Sequence, residues 1–246
     1  MKKCPPSVGK CGGNWIQRHI LRFPTSGGGG EPPLGYGLLY NAHAVLDVRG
    51  VAPDGFSIPT QADFQTLSTF LGGDSVSGGK MKSIRSISDG HPYWVAPNTA
   101  ADNSSGFNAF PAGDRRGFNG AYAALTTTTM YATTDAGSVG NGIKTAGLST
   151  NNAILGLANE GTFRLTEGVS IRCVRETEPP SPTVTDASGN TYTWVQIGSQ
   201  YWLAQNLKTT KYNNGDPIPT GLDNAAWAAT TDGAWAYPNG DSNLPI

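Results

Sequence analysis

Charged residues are scarce in this chain: they make up 14% of its 246 residues, and the formal net charge is −1. Phosphate recognition needs a concentrated basic face, so this balance argues against nucleic-acid binding. The chain lacks a run of about 18 apolar residues, which excludes a membrane-spanning helix. Prolines and glycines follow Met1-Lys2-Lys3, where a secretory signal has an apolar segment. If Met1 is the true start, we expect no export by the usual route.

Residues for metal and nucleophile chemistry are also few. The three histidines, His19, His43 and His91, show neither His-x-His nor His-Glu-x-x-His spacing, so no metal site is predicted. No phosphate loop, nucleophile elbow or EF-hand is complete, and Asp186–Asn190 is interpreted as a turn before a hairpin. We therefore expect no catalytic residues, no metal and no cofactor, and we do not expect an enzyme.

The number of cysteines, three, is odd, which argues against a disulfide scaffold. Cys4 and Cys11 lie near the N-terminus and either pair with each other or remain free thiols. Cys173 alternates with Val169 and Ile171, which places the three side chains on one face of a strand. This pattern predicts that Cys173 packs in the core rather than acting as a nucleophile.

Glycine (33 residues) and proline (17) are abundant, which indicates many turns and few long helices. The composition divides the chain into a head (1–33), a compact domain (34–176), a proline-rich linker (177–184) and a C-terminal segment (185–246). The head has five Lys or Arg residues, no acid before Glu31, and a short apolar cluster. It either docks on a partner or is a frayed tail.

One helix is clearly marked in the domain. Thr60 is a good N-cap with Asp63 three residues later, Phe64 and Leu67 begin an apolar stripe, and Gly72-Gly73 ends it. The apolar run 38–45 is strand-like, and 168–175 forms a closing strand. A single helix among glycine- and asparagine-rich β segments predicts an α+β domain.

The C-terminal segment has the pattern of a small β-rich unit. Thr191–Ile197 and Gln200–Leu203 flank a Gly198-Ser199 turn and predict a β-hairpin. Asn213-Asn214-Gly215 predicts a further turn.

The stretch from Tyr122 to Asn159 consists mostly of Ala, Thr, Gly, Asn and Ser. Such side chains supply adaptable hydrogen bonding with little charge, as binding loops do. The alternative is a solvated loop region without a ligand. The candidate ligand-binding residues in it are Tyr122, Leu125, Thr127, Tyr131, Asn141, Asn151, Asn152 and Asn159.

An ordered set of motifs extends over about 140 residues of the domain. The motifs are Gly37–Val45, Arg49–Thr60, Leu71-Gly72-Gly73, Gly78–Lys82, Asn103–Arg115 and Ser170–Arg175. This set resembles the Fibrobacter succinogenes major paralogous domain family. The resemblance implies a C-type-lectin-like fold, since the family is similar to C-type lectins and formylglycine-generating enzymes. It also implies a place on bacterial surface proteins or phage proteins of the Bacteroidetes.

The C-terminal segment resembles the opening half of the same family, through Val195–Gly198, Trp202–Leu207 and Lys211–Gly215. Three arrangements are open. The segment completes the domain in permuted order, completes a neighbouring subunit, or is a truncated second repeat.

Some features of the family's relatives are missing. Pro97-Asn98 lacks the carboxylate that C-type lectins use for calcium, and a lone Cys173 lacks the cysteine pair of formylglycine-generating enzymes. Some similar proteins carry a segment diversified by retroelements at adenines. Between Tyr122 and Asn159 only Met130 and Lys144 fall outside the residue types that this process yields.

These observations lead to a functional hypothesis. We expect a non-enzymatic binding protein: a phage virion fibre, decoration or receptor-binding subunit. It would attach to other virion proteins through residues 1–33 and meet a host surface glycan or protein, without nucleic acid or membrane insertion. A homo-oligomer, most simply a trimer, is expected. The alternative is a secreted or cell-surface adhesin of a Bacteroidetes bacterium.

Overall fold

The computed structural model describes residues 35–85, 93–137, 142–157 and 164–246. Its helices are α1 (Ala42–Val45), α2 (Gln61–Phe70), α3 (Asp74–Met81) and α4 (Asn224–Ala229), with a 3-10 turn at Pro238–Gly240. Its strands are β1 (Leu39–Tyr40), β2 (Asp114–Arg115), β3 (Tyr122–Ala123), β4 (Thr128–Ala136), β5 (Ile143–Ser149), β6 (Gly156–Leu157), β7 (Val174–Arg175), β8 (Thr183–Thr185), β9 (Thr191–Ile197), β10 (Gln200–Leu203) and β11 (Trp235–Ala236).

The protein is mainly β, with a curled antiparallel sheet and only 16% helix. The expected α+β class with a C-type-lectin-like domain is therefore wrong. Within the described ranges, α2 alone exceeds eight residues. Glycine, proline and asparagine interrupt the chain too often for helices to propagate, so short antiparallel ladders dominate the architecture.

Helix α2 is the element that the sequence predicted most closely. The Thr60 hydroxyl accepts a hydrogen bond from Asp63 N, and the Asp63 carboxylate accepts one from Thr60 N at 2.7 Å. This reciprocal capping box satisfies two backbone donors that the first turn leaves free. Phe64 and Leu67 are buried, and the helix ends before Gly72, whose φ of 104° suits glycine.

The run 38–45 is not the single strand that its apolar composition suggested. It forms two residues of β1 and then turns into α1 at Asn41. The Asn41 side chain accepts a hydrogen bond from Ala44 N at 3.0 Å, and Asn41 thereby caps the helix. A polar residue in the middle of the run therefore divides it.

In the part of the chain that the structure describes, the strands form four small sheets. Their orders are β7-β10-β9-β8, β4-β5-β6, β1-β11 and β2-β3. The predicted hairpin is confirmed, since β9 and β10 pair around the Gly198-Ser199 turn. The turn at 213–215 is also confirmed, and a bridge joins Lys211 to Pro217 across it.

The C-terminal segment packs on the preceding domain within the same chain. Strand β11 pairs with β1, and β10 pairs with β7, so residues from both parts share two sheets. The main core likewise combines Leu38 and Val169 with Leu203 and Tyr212. Of the three open arrangements, the structure has the one in which residues 185–246 complete the fold in cis.

A second core packs under α2. It contains Phe64, Tyr131 and Trp202. The centroid of the Phe64 ring lies 6.0 Å from that of Tyr131 and 4.9 Å from that of Trp202. Cys173 is fully buried in the main core, and burial raises the pKa of its thiol well above the usual range. Core packing of Cys173 is confirmed. Cys4 and Cys11 lie outside the described residues.

No helix in the described ranges is long and apolar enough to cross a membrane.

Candidate functional site

The stretch predicted to bind a ligand is built from strands. Its described part forms β3, β4, β5 and β6, so it is not a loop region. Strand β4 alternates: Thr129 and Tyr131 are buried, whereas Thr128 and Met130 are partly exposed on the opposite face. Only the second face can meet a partner.

The eight candidate residues fall into different environments. Tyr131 has no exposed surface and packs edge-on against Phe107, with ring centroids 5.4 Å apart. Its assignment as a ligand-binding residue is wrong, because the register of β4 turns it into the core. Tyr122 and Leu125 are half-buried and pack beside an apolar cluster.

Three of the candidates remain at the surface. Thr127 is half-buried, Asn152 is partly exposed and Asn151 is exposed. Asn141 and Asn159 lie outside the described residues.

A shallow cleft of about 460 Å³ lies on the outer face of the β4-β5-β6 sheet. We call it the β-face cleft. Its volume falls in the range of small-ligand sites. It is lined by Asp114, Arg116, Ala124, Thr128, Thr129, Met130, Gly147, Leu148, Ser149, Asn152, Ile154 and Gly156.

Two glycines open this cleft. Met130 pairs with Gly147, and Gly147 pairs with Gly156, so one row across three strands contains a single side chain. A Cβ on Gly147 would meet Met130 Cγ at 3.8 Å, and one on Gly156 would meet Gly147 O at 3.7 Å. These are ordinary contacts, so the backbone does not require glycine at either position. Glycine inside a strand weakens it and often marks a close approach by a ligand.

Asp114 borders the cleft with a buried and poorly satisfied carboxylate. Its side chain is 1% exposed, and Arg116 Nε lies 2.8 Å from Oδ2. Oδ2 forms an ion pair with Arg116 and accepts no hydrogen bond from the described residues. Burial raises the pKa of Asp114, and the charge of Arg116 partly opposes that rise. Arg116 is therefore the group that compensates the charge of this buried carboxylate.

Lys82 fixes the loop at one end of the cleft. Its buried Nζ donates hydrogen bonds to Thr99 O, Ser149 O and Asn152 O at 2.8 to 2.9 Å. Burial lowers the pKa of Lys82 to about 8. A charged ammonium has three N–H donors, and the three carbonyl oxygens satisfy them. Through these bonds Lys82 holds residues 149–152 against the rest of the protein.

The turn before β4 is held rigidly as well. Ala124 and Thr126 have φ values of 59° and 69°, which non-glycine residues rarely adopt. Two backbone hydrogen bonds of 2.9 Å hold the turn in place. Thr126 N donates to Pro111 O, and Val95 N donates to Thr126 O. Such strain is often retained at functional sites.

A larger depression of about 590 Å³ lies between α2 and the β9–β10 turn. Its walls include Phe70, Thr66 and Thr69. Both threonine hydroxyls donate to carbonyls of their own helix, at 3.0 and 2.8 Å. Neither hydroxyl group therefore has its hydrogen free to donate to a ligand.

Metal ligation has little support among the residues that the structure describes, where no three His, Cys, Asp or Glu side chains cluster. The Asp186 carboxylate accepts four hydrogen bonds, from Ser188 N, Asn190 N, Asn190 Nδ2 and the Tyr192 hydroxyl, at 2.6 to 3.0 Å. The interpretation of 186–190 as a turn is confirmed.

The sequence had not singled out Asp114, Arg116, Gly147 or Gly156 as site residues. Two signals were available. Gly147 interrupts the middle of the strand 143–149, and Asp114-Arg115-Arg116 concentrates charge in a chain that has little.

Comparisons with known proteins place the chain in a family. Residues 30–175 match the family described as the Fibrobacter succinogenes major domain, and the match does not extend into the C-terminal segment. No curated protein and no solved structure matches the chain significantly. The match covers more than half of the sequence, and the chain belongs to the Fibrobacter succinogenes major domain family.

Proposed function

We propose that this chain is a non-enzymatic binding protein that holds its ligand in the β-face cleft. The row Met130–Gly147–Gly156 carries the proposal, because two glycines leave open a surface that ordinary side chains would fill. Asn151 and Asn152 extend the site along its edge.

The contents of the cleft favour binding over catalysis. Among the described residues that line it, the charged side chains are Asp114 and Arg116, which are paired with each other. An enzyme of the formylglycine-generating kind would need a reactive cysteine, and Cys173 is sealed in the core with a raised thiol pKa.

The biological setting that we propose is a phage virion. Residues 1–33, with five basic residues and an apolar cluster, would attach the protein to other virion proteins. The cleft would then meet a host surface glycan or protein, and a trimer would present three copies of it. A bacterial cell-surface or secreted adhesin is the alternative. Capsid and tail genes next to the gene for this chain would support the phage virion. A signal peptide encoded upstream would support the adhesin.

Filling the cleft tests the proposal. Gly147→Val should abolish binding to host cells while leaving the fold intact, because its Cβ meets no atom closer than 3.8 Å. The same change in a strand interior should stabilise the protein by about 0.5 to 1 kcal/mol. Gln196→Val on the exposed side of β9 is the matched control and should bind normally. Normal cell binding by a folded Gly147→Val protein would overturn the proposal.

A further inference from the structure

We infer that the β-face cleft binds the carboxylate group of an acidic saccharide through the outer nitrogens of Arg116. This inference rests on the proposed binding function and adds the chemical class of the ligand. Two features of the cleft carry it. One is the orientation of the ion pair between Asp114 and Arg116, and the other is the set of hydrogen-bond donors along the accessible surface.

The ion pair turns its positive partner towards the cleft. The side chain of Asp114 is 1% exposed and that of Arg116 is 44% exposed, so the carboxylate lies inside the protein and the guanidinium lies at the surface. A ligand in the cleft therefore meets Arg116 and not Asp114. Because the positive charge is the outer one, the pair presents a positive field to the cleft although its net charge is zero.

The outer nitrogens of Arg116 remain available to a ligand. Nε lies 2.8 Å from Asp114 Oδ2, and no residue that the structure describes accepts a hydrogen bond from Nη1 or Nη2. The nearby carboxylate of Glu167 accepts from Gly117 N at 2.8 Å instead. A guanidinium can donate two parallel hydrogen bonds to the two oxygens of one carboxylate. Since Nε stays beside Asp114, the buried carboxylate keeps its counter-charge while the ligand binds.

The accessible polar side chains along the cleft can also donate. Asn152 Oδ1 accepts from Ile154 N at 3.0 Å, which leaves the amide nitrogen of Asn152 for a ligand. Ser149 Oγ accepts from Asn151 N at 3.3 Å and keeps its hydroxyl hydrogen. Thr128 carries a further half-buried hydroxyl group. A ligand rich in acceptor oxygens fits this set, and an acidic saccharide supplies them in its carboxylate and hydroxyl groups.

The surface between these groups favours a saccharide over an acidic peptide. Met130 is partly exposed and Ile154 is 47% exposed, and both border the open strip over Gly147 and Gly156. A sugar ring presents C–H surface between its hydroxyl groups, so it matches apolar surface that donors flank. Extended peptides bind at sheet edges through backbone hydrogen bonds. This cleft lies across the face of the sheet, where the strands already pair with one another.

Glycosides that differ only at the carboxyl group test the inference on the full chain. Saturation-transfer NMR and calorimetry would compare methyl glucuronide and the methyl glycoside of N-acetylneuraminic acid with the uncharged carboxamide of each. For one ring in an open cleft, we expect the better acidic glycoside to have a Kd on the order of millimolar. Its carboxamide should bind about tenfold more weakly, because it lacks the charge-assisted pair of hydrogen bonds. Added salt should weaken only the acidic form.

Substitutions of Arg116 separate charge from geometry. Arg116→Gln should remove the preference for the carboxylate, and Arg116→Lys, which keeps the charge without the planar pair of nitrogens, should retain part of it. Arg49→Gln is the matched control, because Arg49 is a partly exposed arginine paired with Asp47 at 2.7 Å outside the cleft. It should keep the full preference.

A second variant protects the test against misfolding. Arg116→Gln leaves the buried carboxylate of Asp114 without its counter-charge, which destabilises the protein. The double substitution Asp114→Asn and Arg116→Gln removes both charges, and it should show the same loss of preference. Circular dichroism would show that each variant folds.

The outcomes separate the inference from the proposed function. Equal binding of the acidic glycosides and their carboxamides, or a preference that survives in a folded protein without Arg116, would overturn the carboxylate assignment. Acetyl-glutamate amide that binds as tightly as the better acidic glycoside would overturn the saccharide in favour of an acidic protein ligand. In each of these cases the binding function stands if Gly147→Val abolishes binding to host cells. A preference for the carboxylate that Arg116→Gln and the double substitution remove, and that Arg49→Gln keeps, supports the inference.

Discussion

Asn206 Oδ1 accepts two hydrogen bonds from the buried guanidinium of Arg172, one from Nε at 3.0 Å and one from Nη2 at 2.6 Å. The two residues lie on opposite sides of the proline-rich linker. Arg172 Nη1 donates to Phe107 O and Leu203 O, and Asn206 Nδ2 donates to Tyr36 O at 2.8 Å. One buried cation therefore joins the domain to the C-terminal segment.

Removal of Asn206 should destabilise the protein severely. In Asn206→Ala, Nε and Nη2 of Arg172 lose their acceptor inside the core, and we expect a loss of about 3 to 5 kcal/mol in the free energy of unfolding. Urea denaturation followed by fluorescence would measure it. Asn214→Ala, at an exposed turn, should change stability by less than about 0.5 kcal/mol. Equal effects of the two substitutions would contradict the role of the Arg172–Asn206 contact.

The pairing of β1 with β11 and of β7 with β10 makes the domain dependent on the C-terminal segment. A chain that ends at residue 184 should not fold, since it exposes the core faces that Leu203 and Tyr212 cover. Addition of a separate peptide covering 185–246 should restore the native circular dichroism spectrum. A stable, protease-resistant fragment 1–184 on its own would contradict this dependence.

The helix and turns that the sequence predicted correctly are those determined by neighbouring residues. The capping box of Thr60 and Asp63 and the Gly198-Ser199 turn lie within a few positions of the chain. Burial of Cys173 also followed from its local alternation with Val169 and Ile171. In each case the residue types restrict the backbone or the exposed face without help from distant parts of the chain.

The site was harder to predict because its residues meet only in the tertiary structure. The four consecutive threonines before Met130 have no apolar alternation, so nothing in the sequence shows that Tyr131 points inward. Asp114 and Gly147 line one cleft although they lie far apart in the chain. Lysine is typically a surface residue, yet the carbonyl oxygens of Thr99 and of the loop 149–152 hold Lys82 in the interior.

Glu167 should make stability depend on pH in an unusual direction. Its carboxylate accepts a hydrogen bond from Gly117 N at 2.8 Å, but burial is the largest effect and raises its pKa, and the charge of Asp114 adds to the rise. The folded protein therefore holds a proton that the unfolded chain releases above about pH 4.5. This contribution to stability is present at low pH and is lost as the pH rises through the folded-state pKa.

Glu167→Gln removes that titration while keeping an oxygen that can accept from Gly117 N. The stability of the variant relative to the wild type should increase between pH 4 and pH 7, as measured by thermal unfolding at a series of pH values. Asp47 provides the opposite case, because its hydrogen bond with Arg49 lowers the pKa of Asp47 to about 2. At pH 7 the Asp47→Asn variant should be less stable than the wild type. The difference in stability should shrink as the pH falls towards 2. A pH-independent difference for Glu167→Gln would contradict the raised pKa.

Relief of the strained turn before β4 should stabilise the protein. Thr126 has a φ of 69°, a conformation that its branched side chain disfavours and that asparagine and glycine tolerate. Thr126→Asn should therefore raise the free energy of unfolding by about 1 kcal/mol, which corresponds to a rise of about 2 to 4 °C in Tm. Thr127→Val makes a useful contrast, because the Thr127 hydroxyl donates to Ala124 O at 2.9 Å and its loss should lower Tm. Since the strained turn borders the β-face cleft, a Thr126→Asn protein that gains stability but binds its ligand less well would show that the strain is retained for the shape of the site.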